Sequence, residues 1–63
     1  MPERFSPLLA AAEAGTLPRG MVKLPSGMVP DLAGYVLAWA ACWGGDDAHV
    51  TRRLDEVRTW WGG

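Results

Sequence analysis

Residues 30–45 read PDLAGYVLAWAACWGG, and this stretch decides the fold. Asp31 is a good N-cap, and Gly44 followed by Gly45 is a strong stop signal, so the stretch predicts a helix over 32–43. No residue of that helix is charged. A helix that is apolar all round is normally buried on most sides, so the rest of the chain must be arranged around it.

The apolar residues of this helix fall on two sides. One stripe at helical spacing is formed by Leu32, Tyr35, Val36, Trp39, Ala40 and Trp43. The opposite side holds Ala33, Gly34, Leu37, Ala38 and Ala41. A chain of 63 residues has barely enough surface to cover both sides.

A second, amphipathic helix is predicted over about 47–61. Asp46 or Asp47 supplies its N-cap. Its apolar positions, spaced i, i+4, i+7 and i+11, are Val50, Leu54, Val57 and Trp61. Segments 32–43 and 47–61 therefore predict an antiparallel helix pair joined by a short glycine turn.

The N-terminal part predicts a shorter helix over about 7–14. Ser6 is the expected N-cap, Pro7 takes the first helical position, and Gly15 is the expected C′ stop. One face is apolar at helical spacing, through Phe5, Leu8, Leu9 and Ala12. A helix of about two turns is marginal alone and must dock on another element.

Residues 21–30 predict a β-hairpin. Pro25-Ser26-Gly27 separates two short apolar runs, 21–24 and 27–30, which is typical of a three-residue loop built on a type I turn and a left-handed glycine. An irregular loop over the core is the alternative, because an isolated hairpin is marginal in water. We predict one small, mainly α domain over 1–63, or an α+β domain if the hairpin forms.

Composition bounds the function. The chain carries a formal net charge of −1, and 49% of its residues are hydrophobic. It is too short for a dinucleotide fold or a deep enzyme cleft. A single cysteine and an N-terminus without an apolar signal core make the cytoplasm the expected compartment. The uncharged run 32–45 is too short to span a bilayer, so no membrane association is expected.

Candidate chemistry is sparse. Cys42, Asp46, Asp47 and His49 lie within eight residues, but a structural zinc site usually takes four ligands dominated by paired Cys and His. Cys42 and His49 would also need an oxyanion site and a substrate pocket to act as a nucleophilic pair. We therefore expect no metal, no cofactor, no small-molecule substrate, no catalytic residue and no enzymatic activity.

A helix-turn-helix interpretation is the first alternative. Helices 32–43 and 47–61 match that motif superficially, and Arg52, Arg53 and Arg58 are available for phosphates. The second helix also carries acidic residues, and the net charge is negative. Since phosphate attraction dominates affinity for nucleic acid, nucleic acid is not the expected partner.

The leading hypothesis is a non-enzymatic interaction module, such as a bacterial or phage inhibitor or adaptor. Four tryptophans and an uncharged helix exceed what so short a chain can bury, and contiguous apolar patches mark binding sites. The partner is a larger protein or a second copy, so a homo-oligomeric structural subunit is a further alternative. The predicted contact residues are Trp39, Trp43, Trp60 and Trp61, with Arg52 and Arg53 as a polar rim.

Overall fold

The computed structural model describes residues 2–44 and 47–62. A 3-10 turn, Glu3–Phe5, leads into helix α1, and a pair of strands and two further helices follow. Their bounds are α1 Ser6–Ala14, β1 Val22–Leu24, β2 Gly27–Val29, α2 Leu32–Ala41 and α3 Asp47–Trp61. The prediction of a small, mainly α domain with a hairpin is confirmed.

The start of α1 differs from the sequence prediction. Ser6 is the first residue of the helix, and Phe5 takes the N-cap position without a side-chain cap. The cause is the 3-10 turn, which holds Phe5 in helical backbone geometry and runs straight into α1. The other end follows expectation: Gly15 adopts a left-handed conformation with φ of +73°, and its N–H caps the last turn.

The two strands form an antiparallel hairpin with a tighter turn than predicted. Leu24 pairs with Gly27, so Pro25 and Ser26 make a two-residue turn, and the predicted three-residue loop is wrong. Gly27 has a φ of +141°, which an L side chain rarely adopts, and this lets the strands pair immediately after Ser26. The residues that face the core are buried, namely Val22, Leu24 and Val29.

Helix α2 begins as predicted and ends early. The Asp31 carboxylate accepts a hydrogen bond from the Gly34 N–H at 3.1 Å, which is the expected N-cap. The helix ends at Ala41, two residues before the predicted end. There the N–H groups of Cys42 and Trp43 bond to carbonyls three residues back, and this tightens the last turn.

A side-chain hydrogen bond spans the turn between α2 and α3. Asp47, the first residue of α3, accepts a hydrogen bond from the Gly44 N–H at 2.7 Å. Gly45, part of the predicted stop signal, and Asp46, one of the two predicted caps, lie outside the described residues.

The core is aliphatic around one aromatic ring. Helix α2 packs against both α1 and α3, and β1 contacts α3. The buried apolar side chains are Phe5, Leu8, Ala11, Ala12, Leu17, Val22, Leu24, Val29, Leu32, Val36, Val50, Leu54 and Val57. All four tryptophans lie at the edge of this cluster or outside it. They are therefore placed to form surface.

Candidate interaction surface

Trp39 and Arg53 come together in one groove. The groove encloses about 240 Å³ and is lined by Ser26, Gly27, Met28, Val29, Tyr35, Trp39 and Arg53. The guanidinium carbon of Arg53 lies 5.7 Å from the centroid of the Trp39 ring, within the range of a cation–π contact. Helix α3 thus holds in place a ring carried by α2. We call this feature the Trp39 groove.

Tyr35 and Trp39 form an aromatic pair on α2. Their ring centroids are 6.3 Å apart, and the rings meet edge to face at 67°. Both side chains are half-buried, with one side packed on the core. Ala38 and Cys42 join them in a neighbouring hollow of about 150 Å³. The apolar surface of the groove therefore continues along α2.

Met28 and Tyr35 are contact candidates that the sequence reasoning missed. Met28 is 57% exposed and lies beside the aromatic pair. The alternation of the hairpin places it on the outer face, and Tyr35 precedes Trp39 by one helical turn, so both signals were available. The position of the hairpin against α2 could not be inferred, because long-range contacts fix it.

Trp60 and Arg52 occupy a different groove. Trp60 is 40% exposed and lies with Pro25, Arg52, Asp55, Glu56 and Thr59 around a hollow of about 390 Å³. The hairpin turn lies between this hollow and the Trp39 groove, since Pro25 lines the former and Ser26 the latter. The two pairs of predicted contact residues therefore flank the tip of the hairpin.

The tip of the hairpin is attached to α3 through Glu56. The Ser26 N–H and hydroxyl both donate to Glu56 Oε1, at 2.9 and 2.7 Å. The Ser26 hydroxyl is the main reason why the pKa of Glu56 lies below its ordinary value, with further help from the Ser26 N–H and the charge of Arg53. This contact joins residues 30 positions apart and fixes where the turn lies.

Trp43 and Trp61 cover edges of the core. The Trp43 ring meets Phe5 edge to face, with the centroids 6.2 Å apart. Trp61 is half-buried and lines a groove of about 600 Å³ together with Arg4 and Arg58. Arg4 is itself held by Asp55 through two hydrogen bonds of 3.1 and 3.2 Å, which raise the pKa of its guanidinium. These two tryptophans therefore lie apart from the pairs at the hairpin tip.

The arginines of α3 point to different places. Arg53 lies over Trp39, Arg52 lines the groove of Trp60, and Arg58 lines the groove of Trp61. Asp55 and Glu56 lie between them in the helix. This distribution does not favour one basic face for a nucleic-acid backbone.

Two other features bear on candidate chemistry. Within residues 2–44 and 47–62, no three side chains of His, Cys, Asp or Glu lie close enough together to hold a metal ion. Asp46, one of the acidic residues weighed as a ligand, falls outside those ranges. None of the helices in the described part of the chain is both long and apolar enough to cross a membrane.

Comparison with known proteins gives no relative: no family model matches the chain, and no curated protein or solved structure is significantly similar to it.

Proposed function

We propose that this chain is a non-enzymatic interaction module that binds a larger protein at the Trp39 groove. The observation that carries the proposal is the ordered apolar cluster of Met28, Tyr35 and Trp39 on the surface, with Arg53 stacked on one ring. Aromatic residues, Met and Arg are the types enriched at protein interfaces. Rings already held in place lose little conformational freedom when a partner binds, so this surface suits recognition.

The outer side of α2 extends this surface. Ala38, Ala41 and Cys42 are exposed, and they lead around the helix to Leu37, which is 38% exposed. No charged residue interrupts this side of the helix. A partner that covers the groove and part of α2 would bury a continuous apolar area, as protein interfaces do at their centre.

The setting we propose is the cytoplasm of a bacterium, with the chain acting as an inhibitor or adaptor encoded by that bacterium or by its phage. Ala, Gly, Arg and Pro account for 27 of the 63 residues, and Ile and Asn are absent from the sequence. This usage follows from a GC-rich genome. A small chain with a surface of this kind acts by occupying or bridging larger proteins.

A capture experiment tests the proposal, and two methionines provide a matched pair. Met28 lies at the Trp39 groove, whereas Met21 is 62% exposed and lies outside it. Tagged wild type, Met28→Ala, Met21→Ala and Trp39→Ala are used to capture partners from a nuclease-treated lysate of the source cells. Captured proteins are quantified by mass spectrometry.

We expect one stoichiometric protein with wild type and Met21→Ala, and a loss of about tenfold or more with Met28→Ala and Trp39→Ala. Equal capture by all four chains would exclude the groove as the interface. Recovery of bait alone would exclude a stable heterologous partner and direct attention to self-association.

The outer side of α2 also supports a second candidate, a homo-oligomer. A second copy would present the same uncharged side of α2, with Leu37 and Ala41, so pairing would bury no charge. Sedimentation velocity across a hundredfold range of concentration tests it. A mass that rises with concentration for wild type but not for Leu37→Glu would support self-association, and a constant monomer mass would exclude it.

A further inference from the structure

The Trp39 groove runs along one strand of the hairpin. Its lining includes the four consecutive residues 26–29, and none of the described residues that line it belongs to β1. Side chains of a strand alternate between two faces, so a hollow on one face of the hairpin would be lined by alternate residues. The run consists of Ser26 from the turn and all three residues of β2, with none from β1, which places the groove along the free edge of β2.

Backbone groups of Met28 are directed to that edge. Leu24 and Gly27 close the two-residue turn as a hydrogen-bonded pair, and such pairs alternate along an antiparallel ladder. Lys23 and Met28 are then a pair without mutual hydrogen bonds. The N–H and C=O of Met28 consequently point away from β1. Since β2 has β1 as its one neighbour in the two-stranded sheet, these groups face the groove.

We propose that β2 binds an extended, acidic and apolar segment of the partner protein as a third β-strand. This inference rests on the proposed function and names how the partner is held. The added strand pairs with the N–H and C=O of Met28, and alternate side chains of the segment enter the groove against Tyr35 and Trp39. Main-chain pairing supplies affinity, and the aromatic pair supplies selectivity.

The charges of the groove select an acidic segment. Asp55 is already paired with Arg4, and Glu56 Oε1 accepts both donors of Ser26. Glu56 interacts with the charge of Arg53 but forms no ion pair with it: of the carboxylates that the structure describes, none lies within 4 Å of the Arg53 guanidinium nitrogens. A carboxylate on the incoming strand can therefore pair with Arg53.

A second copy of the chain fits this edge poorly. If two β2 strands paired with each other, each would offer Gly27, Met28 and Val29, which carry no carboxylate. The pairing would also bring the Arg53 side chains of the two copies close together, which is unfavourable because like charges repel. Charge complementarity therefore favours a segment from a different protein.

Proline substitutions test the strand addition with a matched control. Met28→Pro removes the N–H on the free edge of β2, and Lys23→Pro removes the corresponding N–H on the free edge of β1. Neither N–H takes part in the β1–β2 ladder, and proline is tolerated at edge positions of that kind. Far-UV circular dichroism checks that both variants fold.

The probe is a phage-displayed library of random linear 12-residue peptides, selected on the immobilised full chain. We expect enriched peptides with alternating apolar residues and at least one Asp or Glu. A synthetic peptide of the most enriched sequence should bind wild type and Lys23→Pro equally. Its affinity for Met28→Pro and for Arg53→Glu should be lower by about tenfold or more.

The outcomes separate this inference from the proposed function. Peptide binding that is unchanged in Met28→Pro overturns strand addition, while loss in Trp39→Ala would still support the groove as an interface. Equal loss in Met28→Pro and Lys23→Pro, or failure to enrich any peptide, also overturns strand addition. If Met28→Pro does not fold, the same comparison is made with an N-methylated Met28 peptide bond, introduced by chemical ligation at Cys42.

Discussion

The attachment of the hairpin tip to α3 predicts a measurable loss of stability in Glu56→Ala. This substitution removes the acceptor of two hydrogen bonds, of 2.9 and 2.7 Å, from Ser26. Hydrogen bonds to a charged group contribute about 1.5–3 kcal/mol when they are shielded. Here the bonds are exposed and compete with water, so we expect a combined loss of about 1 kcal/mol in the free energy of unfolding.

A loss of that size is large for so small a domain. It corresponds to a fall in Tm of roughly 4–8 °C for a domain of about 60 residues. Thermal unfolding followed by far-UV circular dichroism at pH 7 measures it. Ser26→Ala and the double variant complete a thermodynamic cycle, which cancels the effect of alanine on helix propensity. Because Ser26→Ala keeps the backbone N–H, the coupling free energy reports the hydroxyl bond alone. A coupling below about 0.2 kcal/mol together with an unchanged Tm in Glu56→Ala would refute the reasoning, because neither bond would then stabilise the fold.

The same contact predicts a dependence on pH. Hydrogen bonds from Ser26 lower the pKa of Glu56 in the folded chain from its ordinary value of 4.5. The stabilisation is therefore fully present above that value and is lost as the pH falls through the lowered pKa of the folded state. Glu56→Gln keeps the size of the side chain but removes this titration. The difference in Tm between wild type and Glu56→Gln should thus shrink as the pH falls below that ordinary value of 4.5.

Three further substitutions test the fold and the surface. Trp60→Ala should reduce capture of a partner that extends from the Trp39 groove across the hairpin tip, and it should leave far-UV circular dichroism unchanged because Trp60 is partly exposed. Trp61→Ala should instead lower Tm because Trp61 packs on the core, and the reverse order would exchange their roles. Leu54→Ala leaves a cavity at a fully buried position and should cost about 2–5 kcal/mol, measured by urea unfolding; a loss below 1 kcal/mol would contradict the packing. Asp31→Ala removes the cap of α2 and should cost about 1 kcal/mol in the same assay, and an unchanged midpoint would show that the cap is dispensable.

Local signals in the sequence were sufficient for most of the fold. Asp31 and Gly15 mark helix boundaries through their own backbone and side-chain geometry, so these ends could be predicted from one residue each. The Pro25-Ser26-Gly27 motif also predicted the hairpin, although its turn has two residues rather than the predicted three. The errors occurred where two elements meet. Ser6 lost its predicted cap position to the preceding 3-10 turn, and α2 ended before Trp43, where the last turn tightens.

The candidate site was less predictable than the fold. The sequence indicated that tryptophans and arginines form a contact surface, and the structure groups Trp39 with Arg53 and Trp60 with Arg52. The sequence could not indicate that Trp39 meets Arg53, because that contact depends on how α2 packs against α3. Nor could it indicate that the hairpin tip lies between the two pairs, because that depends on the contact of Ser26 with Glu56 across 30 residues. Periodicity assigns a residue to a side of a helix, but the neighbours of that side come from tertiary packing.

The placement of the tryptophans outside the aliphatic core has an optical consequence. Indole emission normally reports on the interior of a domain, because that is where the rings lie. In this chain it reports on four separate parts of the periphery: the groove of α2, the edge beside Phe5, the exposed side of α3 and the groove next to Arg4. Four variants can be made, each of which retains one tryptophan and carries phenylalanine at the other three positions. The variant whose emission maximum shifts when a partner binds would therefore reveal which part of the surface the partner covers.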